Sequence, residues 1–172
     1  LVAETDGGRP ILDVGAALWE PDRYEAFRVC YQAMRYVDDL VDARRSLPKH
    51  ILAVEKDAIA REIERRMLDG GATDESLVRL SEIRGRFKIP RWTWERWTRS
   101  MLYDLDHDEF PGFRDYLRYA EGAAVAPGAI FMHLCGVRRV GDDYQPPRFD
   151  IRWPARPLAI FCYMVHVVRD FE

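Results

Sequence analysis

The sequence predicts an all-α domain whose long helices surround a central apolar cavity. Two observations predict this class. Apolar residues recur at the helical period of about 3.6 residues in segment after segment, and each segment ends at a proline or glycine stop. Stretches of alternating character are too short to compete with that period. The chain of 172 residues is long enough for one domain with a core of its own. Residues 1–172 are therefore read as a single helical domain, without internal repeats or low-complexity tracts.

The elements follow in order. A first helix opens with Pro21 in its first turn and runs to about Arg45, stopping before Pro48. A second covers about His50 to Leu68 and stops at Gly70-Gly71. Its face Ile51, Val54, Ala58, Glu62 and Arg66, with Ile59 beside it, is half apolar and predicts a surface helix. A third starts on Asp74 as N-cap and ends at Phe87, ahead of Pro90. A fourth spans Arg91 to Asp108 and meets Pro111-Gly112. A fifth begins near Phe113 and reaches Cys135, interrupted at Pro127-Gly128; a loop with Gly141, Pro146 and Pro147 follows. The last helix starts near Pro157 and continues to Glu172. Residues 158–171, LAIFCYMVHVVRDF, are apolar on nearly every side and predict deep burial.

Composition narrows the function. A net charge of −3 with no basic stripe leaves no footprint for nucleic acid. No uninterrupted apolar run reaches transmembrane length and no signal peptide is visible at the start, so a cytoplasmic location is expected. Three cysteines, Cys30, Cys135 and Cys162, sit in apolar contexts without spacing; they are expected to be reduced core thiols.

Four motifs carry chemistry. In YQAMRYVDDLVD, residues 31–42, the apolar stripe is Phe27, Cys30, Met34 and Val41. Asp38 and Asp42 lie on its shoulder, with Tyr31 and Arg35 one and two turns earlier, so both carboxylates are expected to point inward. Buried carboxylates need a cation. A hard ion such as Mg²⁺ takes one or two carboxylates plus phosphate oxygens and water; a solvated acidic face is the alternative. Tyr163, His166 and Asp170 form a polar line on the last helix, either a hydrogen-bond network or a second carboxylate wall across a cavity. Asp104 flanks the stripe of Trp94, Trp97, Met101 and Leu105, whereas Asp106 and Asp108 read as a solvated helix end. A calcium loop starting at Asp104 fails, because Glu109 and Asp115 stand where glycine and glutamate are required. Gly122, Ala123, Ala124, Ala126 and Gly128 make a small-residue surface, suited to tight helix packing or to the wall of an apolar channel.

In order and spacing, these motifs resemble the squalene/phytoene synthase family of all-α isoprenoid synthases, from about Leu18 to Glu172. Tyr31, Arg35, Asp38, Asp39 and Asp42 match its first acidic motif, preceded by Leu18, Pro21 and Ala26. Met101, Asp104 and Leu105 echo a second motif, and Tyr119, Gly122, Ala124 and Gly128 a third. Arg169 and Asp170 match part of the second acidic motif. The chain departs from the pattern at His166, where the family has asparagine, at Tyr163, where it has glutamine, and at Glu121, an aromatic position. A Ser-Phe pair has no counterpart before Leu18. The match stops inside the second acidic motif, so the chain is expected to be an incomplete member lacking its C-terminal helices.

The resemblance implies an enzyme that joins two prenyl diphosphates, farnesyl or geranylgeranyl, head to head through a cyclopropyl diphosphate. It implies Mg²⁺ held by Asp38, Asp42 and Asp170, with Tyr119 completing the catalytic set. Tyr31, Arg35, Asp104, Ala124, Gly128, His166 and Arg169 would bind substrate. His166 is expected to hydrogen-bond and not to ligate Mg²⁺, which prefers oxygen. NADPH is implied only for a squalene-forming enzyme, and peripheral membrane contact would serve release of a lipid product. A prenyl diphosphate hydrolase on the same scaffold and a non-catalytic assembly protein remain open, as do product and chain length.

Overall fold

Pro21 sets the first turn of the longest helix, where its missing N–H costs no hydrogen bond, and the helix runs unbroken to Arg45 as the sequence predicts. A computed structural model describes residues 11–46, 49–69 and 74–169. In it α1 (Ile11–Ala16) precedes this long α2 (Pro21–Arg45). Six residues carry less than two turns of period, which is why the sequence does not mark α1. Then come α3 (Lys49–Glu64) with a π turn (Arg65–Asp69), α4 (Glu75–Arg86), α5 (Arg91–Asp104) and α6 (Phe113–Ala120). A second π turn (Glu121–Val125), α7 (Ala126–Gly136), a hairpin of β1 (Arg138–Val140) and β2 (Asp143–Gln145), and α8 (Arg152–Arg169) complete the order. The class is all-α. The stop expected at Gly70-Gly71 lies outside the described residues.

Local chemistry explains the boundaries. Asp74 is the N-cap of α4 and accepts from the Ser76 backbone N–H at 2.9 Å. α5 ends at Asp104, not Asp108, because the Tyr103 carbonyl accepts from the backbone of both Asp106 and His107 and closes the turn there. The break expected at Pro127-Gly128 falls one turn earlier. Pro127 has no N–H for the carbonyl of Ala123, and its ring crowds that group, so the ladder slips to π spacing before the proline.

The core joins Phe27, Cys30, Met34 and Val41 of α2 to Trp94, Trp97 and Met101 of α5. The buried line of α3 is Ile59, Ile63 and, through the π turn, Met67; Val54 is 83% exposed and Ala58 is exposed, which corrects the expected face. Glu62 and Arg66 pair with each other at 2.5 Å instead of edging the core. Within the expected loop lies the hairpin, an antiparallel pair that the sequence reading did not anticipate. Gly141 sits at its turn with φ +63°. Tyr144 anchors it: the ring stacks on Phe87 at 4.3 Å and the hydroxyl donates to Asp22 Oδ2 at 2.6 Å.

α8 departs most from expectation. It begins at Arg152, five residues before Pro157, and deep burial does not hold among the described residues. Ala155 is buried, but Leu158, Phe161 and Val168 are 62%, 65% and 69% exposed. The helix packs on α6, the second π turn and α7. Those neighbours cover one side, and no described element covers the rest of its apolar surface. For the same reason Cys162 is exposed, as is Cys135; of the expected core thiols only Cys30 is buried.

Candidate active site

α2 brings its acids to the protein edge on one helical flank. Asp38 is half-buried, but Asp42 is exposed, so only the first carboxylate turns inward. Four residues overshoot one helical turn by about 40°, which swings Asp42 off the shoulder. Arg35 stands between Asp38, with Nη1 at 3.6 Å from Oδ2, and the exposed Asp39, with Nε at 2.9 Å from Oδ1. Tyr31, half-buried, stacks on Phe27 at 5.9 Å.

The end of α5 supplies the most enclosed acid. Asp104 has a side chain 13% exposed and accepts from the Tyr119 hydroxyl at 2.6 Å. Its other oxygen lies 3.8 Å from Arg45 Nη1. From α8, the Tyr163 ring lies 6.0 Å from that of Tyr119. The helices thus gather Asp38, Asp104, Tyr119 and Tyr163, with Arg35 and Arg45 at the margin.

The charges in this group oppose one another. Burial pushes Asp104 up to about 6; Asp38 and Asp42 add to the shift, while Tyr119 and Arg45 pull against it. Asp38 is also raised, by burial first and then by Asp42 and Asp39, with Arg35 opposing. Burial, then Tyr163 and Asp104, raises the Tyr119 phenol far above its usual value. Tyr163 is raised to about 12, again chiefly by burial. Both phenols therefore keep their protons near neutrality, and Tyr119 donates its hydrogen bond to Asp104.

An oxygen-only donor set in which acids raise one another suits a hard divalent cation. Among the described residues, no three His, Cys, Asp or Glu side chains stand close enough to hold one. Mg²⁺ needs only one or two carboxylates when phosphate oxygens and water complete its shell, so the residues fit that ion in company with a diphosphate.

The remaining expected site residues fall as follows. His166 Nδ1 accepts from Arg169 Nη2 at 2.8 Å, and its ring lies 6.0 Å from Tyr163. Asp170, and with it the expected opposition of Asp170 to Asp38 and Asp42, lies outside the described residues. Ala124 is 1% exposed, and a Cβ on Gly128 would meet Ala159 at 3.4 Å. A Cβ on Gly122 would fall 2.1 Å from Ser100 Oγ and 2.2 Å from the Arg96 carbonyl, so glycine is what allows α5 to approach this closely. At Gly122 and Gly128 the small residues serve helix packing. Sequence reasoning missed Arg45, although it continues the line of Asp38 and Asp42 one turn further along α2.

The family model described as squalene/phytoene synthase matches residues 13–172. The chain belongs to the squalene/phytoene synthase family. No curated protein and no solved structure matches it. The squalene/phytoene synthase family is one of prenyl-condensing enzymes of all-α fold. None of its described helices is long and apolar enough to cross a membrane.

Proposed function

We propose that this squalene/phytoene synthase family member condenses two prenyl diphosphates head to head at the group formed by Asp38, Asp42, Asp104, Tyr119 and Tyr163. The observation that carries the reading is the hydrogen bond from Tyr119 to Asp104 on a separate helix from Asp38, with the two carboxylates near enough that Asp38 raises Asp104. Mg²⁺ would be held by Asp38 and Asp42, with Asp170 in the expected set, and supplies neutralisation of diphosphate charge. Arg35, and Arg45 beyond the expected set, are placed to donate to phosphate oxygens, which guanidinium forks bind bidentately. Tyr119 keeps its proton on the hydroxyl and directs it at Asp104, orienting that acid. The Tyr163 ring, 6.1 Å from that of Tyr116 and 6.0 Å from that of Tyr119, joins them in offering π surface to a developing cation.

Incubation with farnesyl or geranylgeranyl diphosphate and Mg²⁺, followed by identification of the lipid, tests the reading. A condensed hydrocarbon with released diphosphate is expected. A prenyl alcohol as the only product would make the protein a hydrolase, and absence of turnover with every chain length would make it a non-catalytic member.

A further inference from the structure

Tyr119 also lines a cavity of about 690 Å³ between α5, α6, the second π turn and the first turns of α8. Its chemistry is opposite to that of the acids. Five arginines line it: Arg96 and Arg99 from α5, Arg118 from α6, Arg152 and Arg156 from α8. Only two carboxylates, Asp115 and Glu121, line it with them. Spacings of three and four residues put each arginine pair on one helix face, and the fold turns those faces toward a common hollow. Gathering like charges in a concave wall focuses a positive potential there.

The carboxylates present do not balance that charge. Glu121, half-buried, holds both Arg96, at 2.8 Å, and Arg156, forming a fixed floor. Arg118 has Asp115 at 3.2 Å, and Arg152 has Asp150, outside the lining, at 2.7 Å. Among the described residues Arg99 pairs with no carboxylate. Mutual pairing therefore accounts for the floor but leaves Arg99, and the surplus of positive charge, facing the hollow.

We propose that this cavity is a binding site for a phosphate or diphosphate group, gripped by Arg99, Arg118 and Arg152 above the floor formed by Arg96, Glu121 and Arg156. The volume lies within the range of small-molecule sites. Planar forks from several directions match the oxygens of phosphate, which Arg binds two at a time. The group is either a free anion or part of a lipid headgroup; the recognising chemistry is the same.

The acids around Asp38 repel anions unless a metal is present, so binding measured without metal reports the arginine cavity. In calorimetry with the full chain in a chelator, inorganic diphosphate should bind at one saturable site and weaken as salt rises. The double variant Arg99→Gln/Arg118→Gln should weaken binding at least tenfold, and Arg99→Lys/Arg118→Lys should retain part of it. Both residues are exposed, and unchanged melting of the variants confirms an intact fold. Asp38→Asn, which removes an acid of the other group, should leave this metal-free binding unaltered; absence of a lipid product from the unmodified protein, with diphosphate binding intact, tells against the synthase reading alone. Vesicles of phosphatidylcholine with phosphatidic acid form the second arm: binding there and not to inorganic diphosphate assigns a headgroup, and the converse a free ion. No saturable binding to either probe, or binding indifferent to the double glutamine variant, overturns the proposal.

Discussion

Asp104 and Asp22 are both partly buried and hydrogen-bonded by a tyrosine, yet their pKa values move in opposite directions. Asp22 is lowered: its burial is outweighed by the hydrogen bond from Tyr144 and by Arg86. It stabilises the fold above the ordinary carboxylate pKa, and that contribution is lost as pH falls through its depressed value. Asp104 is raised to about 6 from 3.8. Below both values the folded and unfolded states are equally protonated there; between them the unfolded state has already ionised and the folded state has not. Metal-free stability should thus fall as pH rises from about 4 to about 6, by about 1–3 kcal/mol from this group. Urea melts across that range should show the slope, and Asp104→Asn should remove it. Asp38→Asn is expected to abolish Mg²⁺-dependent turnover while holding or raising metal-free stability, since it removes one of the mutually repelling charges. A Tm several degrees lower, or residual turnover near wild type, would contradict this.

At the scale of elements, the helix pattern was legible wherever a boundary has local chemistry. Pro21, Asp74 and the period of Phe27, Cys30 and Val41 each act within a turn or two, and the structure follows them. The face of α3 was not legible, because a half-apolar helix offers two candidate stripes and only its neighbours choose between them. Ile63→Ala should cost about 2–5 kcal/mol as a buried truncation, and Val54→Ala should stay within about 0.5 kcal/mol; denaturant midpoints of the two would rank the faces. Gly122→Ala places a methyl against the Arg96 carbonyl and Ser100. It should cost about 1–3 kcal/mol or more, because backbone cannot swing aside as a side chain can. Thermal melts of Gly122→Ala beside Gly85→Ala, where a Cβ meets nothing within 4 Å, separate packing from helix propensity.

For the whole molecule, the hairpin closes a long loop of chain onto the start of α2. Tyr144 is 1% exposed and donates to Asp22, which also holds Arg86 of α4 at 2.9 Å. Tyr144→Phe removes a bond to a charged acceptor and should cost about 1.5–3 kcal/mol in denaturant melts. It should also release Asp22 toward its ordinary pKa, shifting acid unfolding to higher pH.

By itself the sequence determined the all-α class, the span of α2, the cap of α4 and the acidic motif with its family resemblance. Each rests on short-range geometry: capping, proline stops and the helical period act between residues a few places apart. The stripe on α2 already pointed to an inward Asp38, but tertiary structure alone decided that Asp42 faces solvent and that Asp104 takes the Tyr119 hydroxyl. It alone left the apolar side of α8 uncovered by described elements, and it alone brought five arginines from three helices around one hollow. Burial, carboxylate repulsion and the focusing of like charge depend on distances between segments far apart in the chain, and no local pattern encodes them.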